Sequence, residues 1–192
     1  CAKHFAVHSG PEALRHEFDA RASEQDLRET YLPAFRALVE EGKVEAVMGA
    51  YNRTNGEACC ASPTLLRKIL REEWGFNGHV VSDCWAIRDF HEHHKITKGP
   101  RESVALAIKT GCDLNCGDTY EFALEALQEG LLTEEDLDRA LRRLLITRFK
   151  LGLLDPPETD PWKEIGPEFV DSAPHRALAR RTAAESMVLL KN

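Results

Sequence analysis

Short apolar runs alternate with amphipathic helical patterns along these 192 residues, and this alternation limits the fold more than any other feature. Runs at 1–7, 44–51, 79–82 and 112–115 read as strands, because valines and small apolar residues suit a pleated, buried position. Between them, apolar residues recur at helical spacing: Leu27, Tyr31, Phe35 and Leu38, then Leu65, Leu66, Ile69 and Leu70, then Val104, Ala107 and Ile108. Further helices are expected over 120–129 and 133–148. Strands roughly 30–40 residues apart, with helices between them, are the pattern of a (β/α) barrel or of a doubly wound parallel sheet. No glycine-rich loop follows a strand, which counts against a nucleotide-binding sheet.

Local signals punctuate this pattern. Ser23-Glu24-Gln25-Asp26 and Thr133-Glu134-Glu135-Asp136 have the form of helix starts, and Ser62-Pro63 joins a cap to a first-position proline. Pro33 lies inside the 23–42 pattern and is expected to kink it. Asn55-Gly56 marks a turn within a 52–60 loop. Residues 9–22 and the histidine-rich 89–99 are expected to be loops, the second a solvated one. Residues 153–172 are proline-rich and aperiodic, as in a linker, before a helix over 173–187 and a strand over 188–192. The abrupt opening at Cys1 and the single closing strand lead us to expect a piece of a longer protein.

Charge and cysteine usage exclude several functions. The net charge is −7 and no basic block is present, so a nucleic-acid partner is not expected. No apolar run approaches the roughly 20 residues of a membrane span. Cys84, Cys112 and Cys116 lack a paired C-x-x-C, and His91, His93 and His94 are wrongly spaced for one helix face, so neither metal nor cofactor is expected.

On a barrel, the C-terminal strand ends carry the chemistry. Here they would present Lys3-His4, Met48 to Asn52, Asp83 to Trp85 and Asp113 to Cys116. Charged and amide groups bind sugar hydroxyls, aromatic rings cover the apolar faces of the sugar, and a carboxylate can attack or stabilise the anomeric carbon. Ordinary roles stay open at each position. Asp83 can cap the following helix, Lys3-His4 can be a surface pair, Met48 and Tyr51 can be core, and Asp113 can bind loop backbone.

Four stretches carry a resemblance: Ala2-Lys3-His4-Phe5, Met48-Gly49-Ala50-Tyr51-Asn52-Arg53-Thr54-Asn55-Gly56, Gly75-Phe76-Asn77-Gly78-His79-Val80-Val81-Ser82-Asp83 and Ala184-Glu185-Ser186-Met187-Val188-Leu189-Leu190-Lys191-Asn192. In this order they are similar to successive motifs of glycoside hydrolase family 3, the β-glucosidases and β-xylosidases. The resemblance implies an α/β architecture. Residues 1–152 would be the C-terminal half of a (β/α)8 TIM-like barrel, 153–172 the linker, and 173–192 the start of an α/β sandwich domain. It implies a retaining, exo-acting β-glycosidase that removes terminal β-D-glucosyl or β-D-xylosyl residues from oligosaccharides or from aryl and alkyl glycosides. Asp83 would be the nucleophile, with Lys3, His4, Met48, Tyr51 and Trp85 around the sugar. The family's acid/base would lie in the sandwich domain beyond Asn192, so these residues alone are not expected to turn over a glycoside. Cys84 after the nucleophile resembles the β-xylosidase-like branch, which implies a contact or disulfide between Cys84 and Cys116. A secreted or periplasmic setting is also favoured by the resemblance. The rival reading is a non-catalytic carbohydrate-binding or scaffold module in which Asp83 is structural.

Overall fold

The computed structural model describes all 192 residues, which divide by contact into the units Cys1–Leu151 and Gly152–Asn192. The first unit holds six strands: β1 (Ala2–Phe5), β2 (Asp19–Ala20), β3 (Ala46–Gly49), β4 (Arg53–Thr54), β5 (Glu57–Ala58) and β6 (His79–Ser82). β1, β3 and β6 form a parallel sheet in that order. The strand expected over 112–115 is reduced to one parallel bridge between Leu114 and Val81. In register across β3 and β6, Val47 and Val80 are fully buried, while Met48 and Val81 on the alternate positions are half-buried. That alternation is the period-2 pattern of a pleated strand.

The buried valines belong to a core with Phe5, Leu65, Leu66, Ile69, Leu70, Ile87 and Phe90. Pro63–Glu73 is a widely wound helix that buries Leu65, Leu66, Ile69 and Leu70, and Ser62 Oγ caps it by accepting from Leu65 N–H at 2.9 Å. Pro33 does not kink a continuous helix. The chain makes a wide turn over Leu27–Tyr31, and Pro33 then opens a new helix, Pro33–Glu40, where its missing N–H costs nothing. A second apolar cluster joins Val104, Ile108, Ala126 and Ala140 from the helices Pro100–Thr110, Ala123–Gln128 and Glu134–Lys150 with Leu132 from the turn between the last two. Gly111 ends the first of these in a left-handed conformation, φ 111°.

Two expected loops are more ordered than their composition implies. Residues 9–22 contain a short 3-10 turn and β2, and 52–60 contain the hairpin β4–β5 around Asn55 and Gly56, whose φ values of 51° and 90° suit a tight two-residue turn. β2 pairs parallel with β4, so the segments that follow β1 and β3 are sewn together. Residues 89–99 are only in part the solvated loop expected: 93–99 are irregular, with His93, Lys95, Ile96 and Lys98 exposed. Asp89–Glu92 is helical, and Asp89, Phe90 and His94 are buried, because Phe90 anchors the segment in the core and His94 stacks on it.

Asp113, offered by the sequence as a strand-end site residue, is instead occupied structurally. Its carboxylate accepts from Arg71 at 2.9 Å, Arg143 at 2.8 Å and the Val80 N–H at 2.9 Å. It fastens β6 to the helices on either side. In the second unit, Ala173–Glu185 is helical and two short 3-10 turns precede it. The strand expected over 188–192 does not form, because these residues are exposed and the unit offers no strand to pair with.

Candidate active site

The site assembles where β1, β3 and β6 end. On β1, Ala2 pairs with Val47 and Phe5 with Gly49, so Lys3 and His4 together oppose the single residue Met48. This is the count of a β-bulge, a device that re-aims side chains. Phe5 stays fully buried, Lys3 is exposed and His4 is half-buried. β6 ends at Ser82, and Asp83 follows with its N–H donating to Gly49 O at 3.1 Å.

Asp83 is shielded but reachable, its side chain 13% exposed. One carboxylate oxygen accepts from the Cys84 N–H at 2.8 Å, and the other lies 3.3 Å from His4 Nε2. Burial holds the His4 imidazole below its ordinary pKa; Asp83 opposes this, and Lys3 and His8 reinforce it. Helix capping by Asp83 does not occur, since the next helix starts at Asp89 behind Arg88. Burial and then the Asp83 carboxylate push the pKa of the Tyr51 hydroxyl upward, and Arg15 opposes them. Met48 occupies the half-buried position of β3 in register with Val81.

On the other side of Asp83, Cys84 and Cys116 are joined as a disulfide, with Cα atoms 4.4 Å apart. The bond removes two of the three thiols considered for zinc. Ser82 Oγ accepts from Cys116 N–H at 3.0 Å and from Asn115 Nδ2 at 3.1 Å, and Trp85 N–H donates to Cys116 O at 2.6 Å. Trp85 is thereby held at φ 63° with half its surface exposed. Gly117 allows the close approach, because a side chain there would meet Trp85 at 3.2 Å.

Several polar residues around this group escape local reading. Asn52 is fully buried; its amide donates to Val7 O and Arg53 O, and its oxygen lies 3.1 Å from His8 Nδ1. His8 stands 5.0 Å from the His4 ring. Arg15 lies over the Tyr51 ring at 5.2 Å, His16 meets its edge at 4.5 Å, and His16 pairs with Asp89. Asn52 falls within a quoted motif, but no spacing signal connects residues 15 and 16 to 51 or 89. The remaining histidines diverge: His91 pairs with Ser103 Oγ at 3.0 Å, and buried His94 faces away from any hydrogen-bond partner. Polar and aromatic side chains grouped near one shielded carboxylate are the residue types that bind a small polyhydroxylated ligand.

Comparison with known proteins places the chain in a family. The profile of the glycosyl hydrolase family 3 N terminal domain matches residues 1–147. The chain is 47% identical to a probable exo-1,4-β-xylosidase of Aspergillus clavatus, over 99% of this chain and 26% of that protein. It is 43% identical to a xylan 1,4-β-xylosidase of Xylanibacter ruminicola, over 100% of this chain and 23% of that protein. It therefore spans about a quarter of the length of these relatives. Among solved structures, a family 3 exo-β-xylosidase in complex with a xylobiose aziridine probe superposes with a TM-score of 0.91 at 30% identity, covering 100% of this chain and 26% of that one. A β-glucosidase from Listeria innocua superposes at 0.86 with 30% identity, again over 100% of this chain and 26% of that one. The chain belongs to glycosyl hydrolase family 3, whose N-terminal domain it carries in part or whole over residues 1–147.

Proposed function

We propose that this chain supplies the nucleophile, Asp83, of a retaining, exo-acting β-glycosidase that releases terminal non-reducing β-D-xylosyl residues, with β-D-glucosyl as the second choice. The observation that carries the proposal is the Asp83 carboxylate just past the end of β6, shielded to 13% exposure, fixed by the Cys84 N–H and 3.3 Å from His4 Nε2. The names of the relatives favour xylose. The parallel sheet, with helices between its strands, is read as the second half of a (β/α)8 barrel, whose C-terminal strand ends hold active sites.

In this reading Asp83 attacks the anomeric carbon. A carbon–oxygen bond to Asp83 forms as the glycosidic bond breaks, and the leaving oxygen takes a proton from a general acid. Water then attacks the same carbon, gives its proton to that group acting as base, and frees the sugar with Asp83 again a carboxylate. The acid/base must sit with its carboxyl about 5–5.5 Å from Asp83, and no residue of this chain is assigned to it. Lys3 and His4 hold sugar hydroxyls, Met48 and Tyr51 wall the sugar, and Trp85 stands on the leaving-group side. His4, kept neutral by burial, can accept or donate one proton in a hydrogen bond without competing as an ion for Asp83.

The test is Asp83→Ala in the intact protein, assayed on nitrophenyl β-xyloside and β-glucoside. A drop of at least about a thousandfold in kcat is expected when a nucleophile is removed. Unchanged turnover would favour the non-catalytic binding module instead.

A further inference from the structure

Three segments far apart in sequence converge on the Tyr51 ring. The His16 imidazole packs edge-on against it, with 4.5 Å between centroids and 62° between planes. His16 Nδ1 lies 2.8 Å from Oδ2 of Asp89, 73 residues further along the chain. Asp89 is 3% exposed at the start of the helix Asp89–Glu92. A buried carboxylate is costly unless it is hydrogen-bonded. The other Asp89 oxygen has only His93 at 3.8 Å, so the bond to His16 is its main compensation. The orientation of the His16 ring is consequently dictated from below by Asp89, and that ring in turn braces Tyr51. Arg15, the preceding residue, closes over the Tyr51 ring at 5.2 Å.

Tyr51 needs such a brace. It stands two residues beyond the end of β3, half-buried. An unbraced tyrosine has two free torsions, and small displacements of groups around a reacting centre cost rate steeply. We infer that His16, oriented by buried Asp89, is a positioning residue for Tyr51, the ring proposed to wall the sugar. The inference rests on the glycosidase reading. It also assigns a use to the segment between β1 and β2, which β2–β4 pairing already ties to the hairpin beyond β3.

A purely structural alternative is that the His16–Asp89 bond only anchors that segment. Three variants of the intact protein separate the two: His16→Ala, His16→Gln and Tyr51→Ala, with kcat and KM on nitrophenyl β-xyloside and thermal midpoints for each. Glutamine keeps a donor for Asp89 but has no ring. We expect His16→Ala to lower kcat about tenfold or more, with KM changing less. His16→Gln should recover the thermal midpoint but not kcat, and His16→Ala should cost less than about twofold more in a Tyr51→Ala background. Recovery of kcat by glutamine, or independent multiplication of the His16 and Tyr51 effects, overturns the inference while leaving the glycosidase reading intact. Activity that does not depend on Asp83 overturns both.

Discussion

Asp113 is the residue whose loss should hurt this domain most without touching substrate. Its side chain is 2% exposed, against 13% for Arg71 and 21% for Arg143. Asp113→Ala removes the acceptor for both guanidinium groups and for the Val80 N–H. Breaking a buried ion pair from one side costs about 3–5 kcal/mol, and orphaning a buried donor about 1–3 kcal/mol. These losses share atoms and do not add, so the combined cost is about 4 kcal/mol, within the range for breaking the pair alone. Arg71 shows the same balance from its own side: burial pushes its pKa down to about 10, and Asp113 opposes that shift. At roughly 2–4 °C per kcal/mol for a protein of this size, the thermal midpoint should fall by about 8–16 °C. Asp113→Asn, which keeps one acceptor oxygen, should lose about half as much. Urea unfolding followed by circular dichroism measures both. A loss below about 1 kcal/mol for Asp113→Ala would mean that the triad behaves as an exposed pair and that β6 is held by apolar contacts alone.

Two further outcomes follow from buried groups. Burial pushes the His94 imidazole down to about 4, and Arg53 adds to the shift. The unfolded chain therefore takes up a proton near pH 6.5 that the folded one refuses, so stability is full above pH 6.5 and falls as the pH drops toward 4, by up to about 3 kcal/mol. Urea midpoints at pH 7 and 4.5 should differ less in His94→Phe than in the parent, and an equal pH dependence in the two would refute the assignment. The Cys84–Cys116 bond closes a separation of 32 residues, worth about 3–4 kcal/mol in the chain-entropy view. Thiol labelling of unfolded, unreduced protein should modify Cys1, Cys59, Cys60 and Cys112 but spare Cys84 and Cys116. Labelling of those two without reductant would contradict the bond.

The elements that read well from sequence are those whose cause is local. Ser23 with Asp26 and Thr133 with Asp136 form reciprocal caps, and valines mark β3 and β6. What escaped reading depends on partners far along the chain. Asp113 finds Arg71 and Arg143 from separate helices, and Asp89 finds His16 across 73 residues. β2 is only two residues long and exists because β4 lies beside it. The 89–99 segment looked solvated because its charge and histidines dominate the composition, whereas one aromatic, Phe90, is enough to draw Asp89 and His94 inward. Conversely, Val188, Leu189 and Leu190 have strand-like composition but remain exposed, since composition cannot supply a pairing partner.

The nucleophile assignment is the centre of this account, and covalent trapping tests it most directly. A fluorinated xyloside with a good leaving group slows both steps and accumulates the glycosyl-enzyme. Treated with it, the intact protein should gain the mass of one fluoroxylosyl group, and peptide mapping should locate it on the peptide containing Ser82-Asp83-Cys84, with no gain in Asp83→Ala. A label on any other carboxylate, or turnover with no covalent adduct, would contradict Asp83 as the nucleophile.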